Sequence, residues 1–181
     1  MSGAAFLLRP ARFFEDFQNM PFTPRTLALS FALVLPTVAL GARAAESYEL
    51  INCSAATVVP ISASKEITLL SIDSKGIARS VVERGPFDNM TFHCAIALNL
   101  GGTVASGAGF CKFLDPDGDY LVGQITPTGP GKGTWTFLHG TGKWSGISGG
   151  GEYASVTRAK PIAAGTSQGC ARATGTFELK R

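Results

Sequence analysis

Beyond residue 45, hydrophobic and polar positions alternate with a period of two. In Thr91-Phe92-His93-Cys94-Ala95-Ile96-Ala97-Leu98 the larger apolar side chains Phe92, Ile96 and Leu98 share one face with Cys94. Thr134-Trp135-Thr136-Phe137 repeats the alternation. The pattern predicts strands near 47–52, 66–72, 76–83, 90–98, 104–114, 119–126, 133–138, 151–158 and 171–179. Turn signals fall between them, among them Asp73-Ser74-Lys75-Gly76, Gly85-Pro86, Gly101-Gly102, Asp115-Pro116-Asp117-Gly118, Gly129-Pro130-Gly131 and Gly140-Thr141-Gly142. No window carries amphipathic helical periodicity. Eight or nine short strands spaced in this way point to an antiparallel sandwich or barrel. Closure removes unpaired edges, and glycines within strands supply the bends that closure needs. The expected fold is therefore all-β, an antiparallel closed β-barrel of about eight strands.

The first 44 residues read differently. Thr26 to Ala42 is an uncharged, Leu/Ala/Val-rich run bracketed by Arg25 and Arg43, and it ends in the small-residue pattern Ala42-Arg43-Ala44. This is the signature of a helical signal segment cleaved before Ala45, with an extended leader whose better start is Met20. The run is short of a membrane span and Pro36 interrupts it. Residues 45–181 form the single expected domain, destined for the periplasm or the exterior. Its short strands and non-aromatic C-terminus do not suit an outer-membrane barrel.

All four cysteines lie in that domain: Cys53, Cys94, Cys111 and Cys170. In an oxidising compartment they imply two disulfides. A hairpin turning at Gly102-Thr103 sets Cys94 opposite Cys111. By elimination Cys53 pairs with Cys170, joining the first and last strands at the place where a barrel needs its seam fastened.

Charge narrows the function classes. The full chain has a formal charge of +3, but residues 45–181 carry 12 Lys+Arg against 11 Asp+Glu. Bulk electrostatic attraction to nucleic acid is excluded, and no membrane association is expected after signal cleavage. The candidate chemistry is thin. Asp115-Pro116-Asp117-Gly118-Asp119 begins like a calcium loop, but Tyr120 and Thr126 stand where the motif needs Gly and a bidentate Glu, so a turn is expected. Gly146-Ile147-Ser148-Gly149-Gly150 matches a nucleophile elbow in letters only, because no helix and no later His follows. His93 and His139 lack partners for acid–base work, and no Cys/His spacing suits a metal. Asn52-Cys53-Ser54 and Asn89-Met90-Thr91 are glycosylation sequons on paper. No catalytic residue, metal or cofactor is expected.

Aromatics gather in the second half. Trp135, Phe137, Tyr120 and Tyr153 are the candidate lining of a ligand cavity, set against the alternative that they fill the core.

The segment Gly109-Phe110-Cys111-Lys112-Phe113-Leu114-Asp115-Pro116-Asp117-Gly118-Asp119, followed by Gly140-Thr141-Gly142-Lys143-Trp144-Ser145-Gly146-Ile147, resembles a group of secreted bacterial proteins. Its second element is also similar to a glycine-rich turn of plant dirigent proteins, whose eight-stranded barrel is shared with allene oxide cyclases. The resemblance implies that barrel. It carries no active site, since His139 replaces the first Gly of the dirigent element and Ser145 and Ser148 replace its two Arg. The leading expectation is non-catalytic binding of a small apolar or aromatic molecule. The alternatives are a cyclase- or isomerase-like cavity using a carboxylate such as Glu152 beside Tyr153, and a protein-binding module such as a small barrel protease inhibitor. The sequence carries no signal of oligomeric state.

Overall fold

The computed structural model describes residues 44–64, 66–101 and 106–180. The signal segment, apart from Ala44, lies outside them. Eight strands form a closed barrel: β1 (Glu46–Ala63), β2 (Thr68–Ser80), β3 (Met90–Asn99), β4 (Ser106–Leu114), β5 (Tyr120–Gly129), β6 (Lys132–Gly140), β7 (Ile147–Arg158) and β8 (Thr166–Leu179). Each pairs antiparallel with the next, and β8 closes on β1 from Glu46↔Phe177 to Thr57↔Thr166. No edge is left unpaired. The single helical element among the described residues is a 3-10 turn, Gly142–Trp144.

Four predicted boundaries are corrected. The turn expected at Asp73–Gly76 is the middle of β2, so two predicted strands are one. Ser74 turns inward and is buried, while Asp73 and Lys75 point outward and pair with each other at 3.4 Å. Gly76 is there because a Cβ would overlap the Cys53 carbonyl and the Phe92 ring; it admits close backbone approach rather than a reversal. β1 continues to Ala63, and β7 and β8 begin earlier than their apolar runs, at Ile147 and Thr166. The β7 and β8 extensions are mostly small and polar, and in β1 the run Val58-Val59-Pro60-Ile61 breaks the alternation, so hydrophobic periodicity marks none of them.

Both disulfides join residues paired directly across neighbouring strands, Cys94 with Cys111 and Cys53 with Cys170. Cys94 and Cys111 are buried and face the lumen, whereas Cys53–Cys170 staples the β1–β8 seam.

The two ends of the barrel differ. The loops 81–89, 115–119 and 141–146 lie at one end, which is closed. There the β2–β3 loop drives Phe87 into the barrel, where it is 2% exposed. Its ring stacks on Trp144 at 4.7 Å and on Phe137 at 5.3 Å, and meets Tyr48 and Phe177 edge-on. Seating it takes left-handed backbone at Arg84 (φ 55°), Phe87 (φ 62°) and Asn89 (φ 60°). Burying a phenylalanine contributes about 1.5–3 kcal/mol, with more from each aromatic pair, enough to hold such strain. Asp88 fixes the loop by accepting hydrogen bonds from Arg79 Nε at 2.9 Å and Ser80 N at 3.0 Å. Leu50, Met90 and Leu121 complete a filled floor.

The outer side of the closed end is clamped by the two turns singled out in the sequence. Lys143 Nζ lies 2.8 Å from Asp115 Oδ1 and 2.7 Å from Asp117 Oδ2, and its backbone N–H donates to Asp119 Oδ2 at 3.0 Å. The lysine ammonium thus takes the place a cation would have in a calcium loop. Gly142 (φ 49°) is obligatory, since a Cβ there would overlap the Asp119 carboxylate.

Candidate functional site: a cavity in the open half of the barrel

Above the floor, the lumen is hollow. A cavity of about 730 Å³ opens at the end where β1, β3, β5 and β7 finish. Its size falls within the range of about 300–1,000 Å³ typical of small-molecule sites. An eight-stranded barrel is just wide enough to be filled by side chains or to hold one small ligand. This one is filled at its closed end and hollow at the other.

The walls have different chemistry. On the side of β3–β6 the cavity is lined by Phe92, Ile96, Phe113, Ile125 and Trp135, together with the Cys94–Cys111 disulfide. On the side of β1, β2 and β8 it is lined by Asn52, Ser54, Ala56, Ser74, Ala171 and Ala173, with Val58, Leu70 and Ile72 towards the mouth. Just above the floor, large apolar residues therefore face small and weakly polar ones, and that asymmetry leaves the space open. Asn52 lies opposite Ala78 on one side and Ala171 on the other. Its Oδ1 is buried and has no hydrogen-bond partner.

Trp135 links cavity and floor. Its ring lines the cavity while its indole N–H donates to Tyr48 Oη at 2.6 Å beneath. Burial pushes the Tyr48 hydroxyl up to about 12, only partly offset by the Trp135 hydrogen bond, so it is neutral at any physiological pH. Burial likewise raises Tyr153, on β7 at the cavity wall.

Of the four aromatics expected to line a cavity, Trp135 and Tyr153 do so. Phe137 does not. It faces inward but belongs to the filled floor, packed on Phe87 and 4.3 Å from Trp135. Tyr120 is on the outer surface, because Leu121 takes the inward position of β5. Its ring sits under the Lys112 ammonium, 4.4 Å from the centroid. Glu152 is also placed outside: it alternates with Tyr153 and is exposed, so the two do not share the lumen. Among the described residues, the cavity lining contains no carboxylate and no histidine. His93 points outward to Asp73, 2.6 Å away, and that hydrogen bond holds the Asp73 carboxyl below its usual value. Asn52 faces the lumen, which removes the first sequon from the surface. No group of three or more His, Cys, Asp or Glu among the described residues is arranged to hold a metal ion.

The alternation in 90–98 already set Phe92, Ile96 and Leu98 on one face with Cys94, and that face is the cavity wall. The small residues of β1 and β8, and Phe113, were missed. Comparison with protein-family models, with curated proteins and with solved structures gives no match.

Proposed function

We propose that the protein is a disulfide-stapled binding barrel that takes a small apolar or aromatic molecule into its open half without transforming it. The carrying observation is the cavity of about 730 Å³ with one aromatic wall, above a floor sealed by Phe87 and Tyr48. Burying apolar ligand surface there gains about 25 cal/mol per Å² removed from water. The unpartnered Asn52 Oδ1 favours a ligand that also offers one hydrogen-bond donor. The lining supports binding over catalysis: the carboxylate on which a cyclase-like reaction would draw, Glu152, lies on the far side of the wall. The barrel is of the kind found in allene oxide cyclases and dirigent proteins, on this reading by architecture alone. Two disulfides fit an oxidising compartment, the periplasm or the exterior. No helix among the described residues is long and apolar enough to cross a membrane.

The test is a titration with an environment-sensitive apolar dye, against a variant in which the cavity is filled. Ala171→Trp places a large ring into the void opposite the aromatic wall. Saturable dye binding by the wild type and loss of at least tenfold in affinity by the filled variant are expected. Equal binding by both would place the dye elsewhere and end the proposal.

A further inference from the structure

Half of the exposed large apolar residues gather where the cavity opens. Val59 and Ile61 lie at the end of β1, Ile67 in the loop to β2, Leu100 just beyond β3, Val156 near the end of β7 and Ile162 in the loop before β8. Ile61 is 65% exposed and Ile162 88%, so neither contributes to the core. Charge is just as uneven. The described residues of this end carry Lys132, Arg158 and Lys160 against one carboxylate, Glu66, and Arg158 borders the cavity itself. None of the three cations has a described carboxylate within ion-pair distance. Among the described residues the closed end has the reverse balance, with Glu46, Glu49, Glu83, Asp88, Asp115, Asp117, Asp119 and Glu178 against Arg79, Arg84, Lys143 and Lys180.

The near-neutral sum of charges, which argued against bulk attraction, averages over these two ends. Strands of about ten residues separate them by roughly 30 Å, several times the screening length of about 8 Å at physiological salt. A surface approaching the mouth meets the cations and not the distant carboxylates. The outer wall at mid-height carries Asp73, Lys75, His93, Lys112, Glu152 and Arg172, so only the rim, not the wall, suits contact with lipid.

We propose that the open rim is a docking surface for a bilayer containing anionic phospholipid. The rim isoleucines insert at the level of the upper acyl chains, while Lys132, Arg158 and Lys160 meet lipid phosphates, and the cavity mouth faces the membrane. A second copy is a poorer occupant, because mouth-to-mouth packing brings like charges together. The proposal goes beyond ligand binding and does not depend on it, since it rests on the rim and not on the lumen.

Co-sedimentation with vesicles tests it, using phosphatidylcholine alone and phosphatidylcholine mixed with phosphatidylglycerol. The variants are I61D/I162D and R158Q/K160Q at the rim, with V81D/V82D at the closed end as the control. All are changed at exposed positions and share one N-terminus, so any contribution from that segment cancels. Thiol titration confirms that both disulfides persist in each.

The wild type and the control bind the anionic vesicles and bind phosphatidylcholine much less. I61D/I162D loses at least about tenfold. R158Q/K160Q loses roughly 25-fold at low salt, taking about fivefold per cation. Equal binding by I61D/I162D and the wild type overturns the proposal. So does a dimer in vesicle-free buffer that I61D/I162D splits, which would assign the rim to a second copy. Dye uptake by the lumen, measured on I61D/I162D and V81D/V82D, whose positions lie outside the cavity lining, is unchanged in either case and keeps the two proposals apart.

Discussion

The two halves of this barrel are made from the same strands and solve opposite problems. At the closed end, large side chains from the wall meet a phenylalanine delivered by a loop, and no space is left. Just above that floor the inward positions Asn52, Ser54, Ala56, Ser74, Ala171 and Ala173 are small, with Val58, Leu70 and Ile72 following only towards the mouth, and the aromatic wall opposite is left facing open space. The difference shows that strand count sets a ceiling on lumen width, while side-chain size at each level decides whether the lumen is core or cavity. It also shows where stability resides: the filled half and the staples hold the fold, leaving the other half free to be hollow.

Breaking the seam should have the largest effect. Removing Cys53–Cys170 by paired Cys→Ala substitution releases a link spanning 117 residues and should lower stability by about 4–5 kcal/mol in urea denaturation. Removing the lumen-facing Cys94–Cys111, spanning 17 residues, should cost about 3 kcal/mol. A reversed order would mean that strain, not loop entropy, dominates.

Next comes the plug. Phe87→Ala should destabilise by about 3–5 kcal/mol, as for a fully enclosed aromatic. Phe92→Ala, beside the cavity, should cost about half as much or less, because one side of that ring already faces a void. Comparable losses in thermal unfolding would contradict the division into filled and hollow halves.

The clamp is smaller. Lys143→Met strips its partner from the buried Asp115 and should cost about 1–2 kcal/mol. Its pH dependence has a definite sign. The hydrogen bond from Lys143, reinforced by its charge, holds Asp117 below the usual carboxylate value. That contribution is complete above the ordinary Asp value near 4 and fades as pH falls through the depressed one. Burial opposes the charge on Lys143, but its bonds to Asp115 and Asp117 outweigh it and raise the ammonium, so that contribution is complete below the ordinary lysine value and fades as pH rises through the raised one. Unfolding midpoints measured from pH 2 to 6 should fall less steeply in Lys143→Met than in the wild type. The rim variants of the open end should change stability least of all, within about 0.5 kcal/mol.

How far the sequence could be read depended on which half was being read. Period-two alternation in 90–98 exposed the lumen face of β3 because one face is apolar and the other meets water. The symmetry of Cys94 and Cys111 about Gly102-Thr103 gave the β3–β4 register for the same geometric reason. Where inward residues are small, that contrast vanishes, and the far portions of β1 and β8 read as loop. Asp73-Ser74-Lys75-Gly76 has the composition of a turn, and its pairing with both β1 and β3 shows it to be strand. Aromatic clustering points Tyr120 to the lumen, but the phase of β5, with Leu121 inward, turns it out. Phe87 sits in a Gly-Pro loop outside any periodicity, so nothing local marks it as the floor of the site.

The central claim is that the open half holds a small molecule, and native mass spectrometry of the protein purified unreduced from the cells that make it tests it most directly. The account predicts a reproducible extra mass that disappears on denaturation and is missing from Ala171→Trp. A bare mass, four hydrogens below the fully reduced value and unchanged by incubation with apolar compounds, would contradict it.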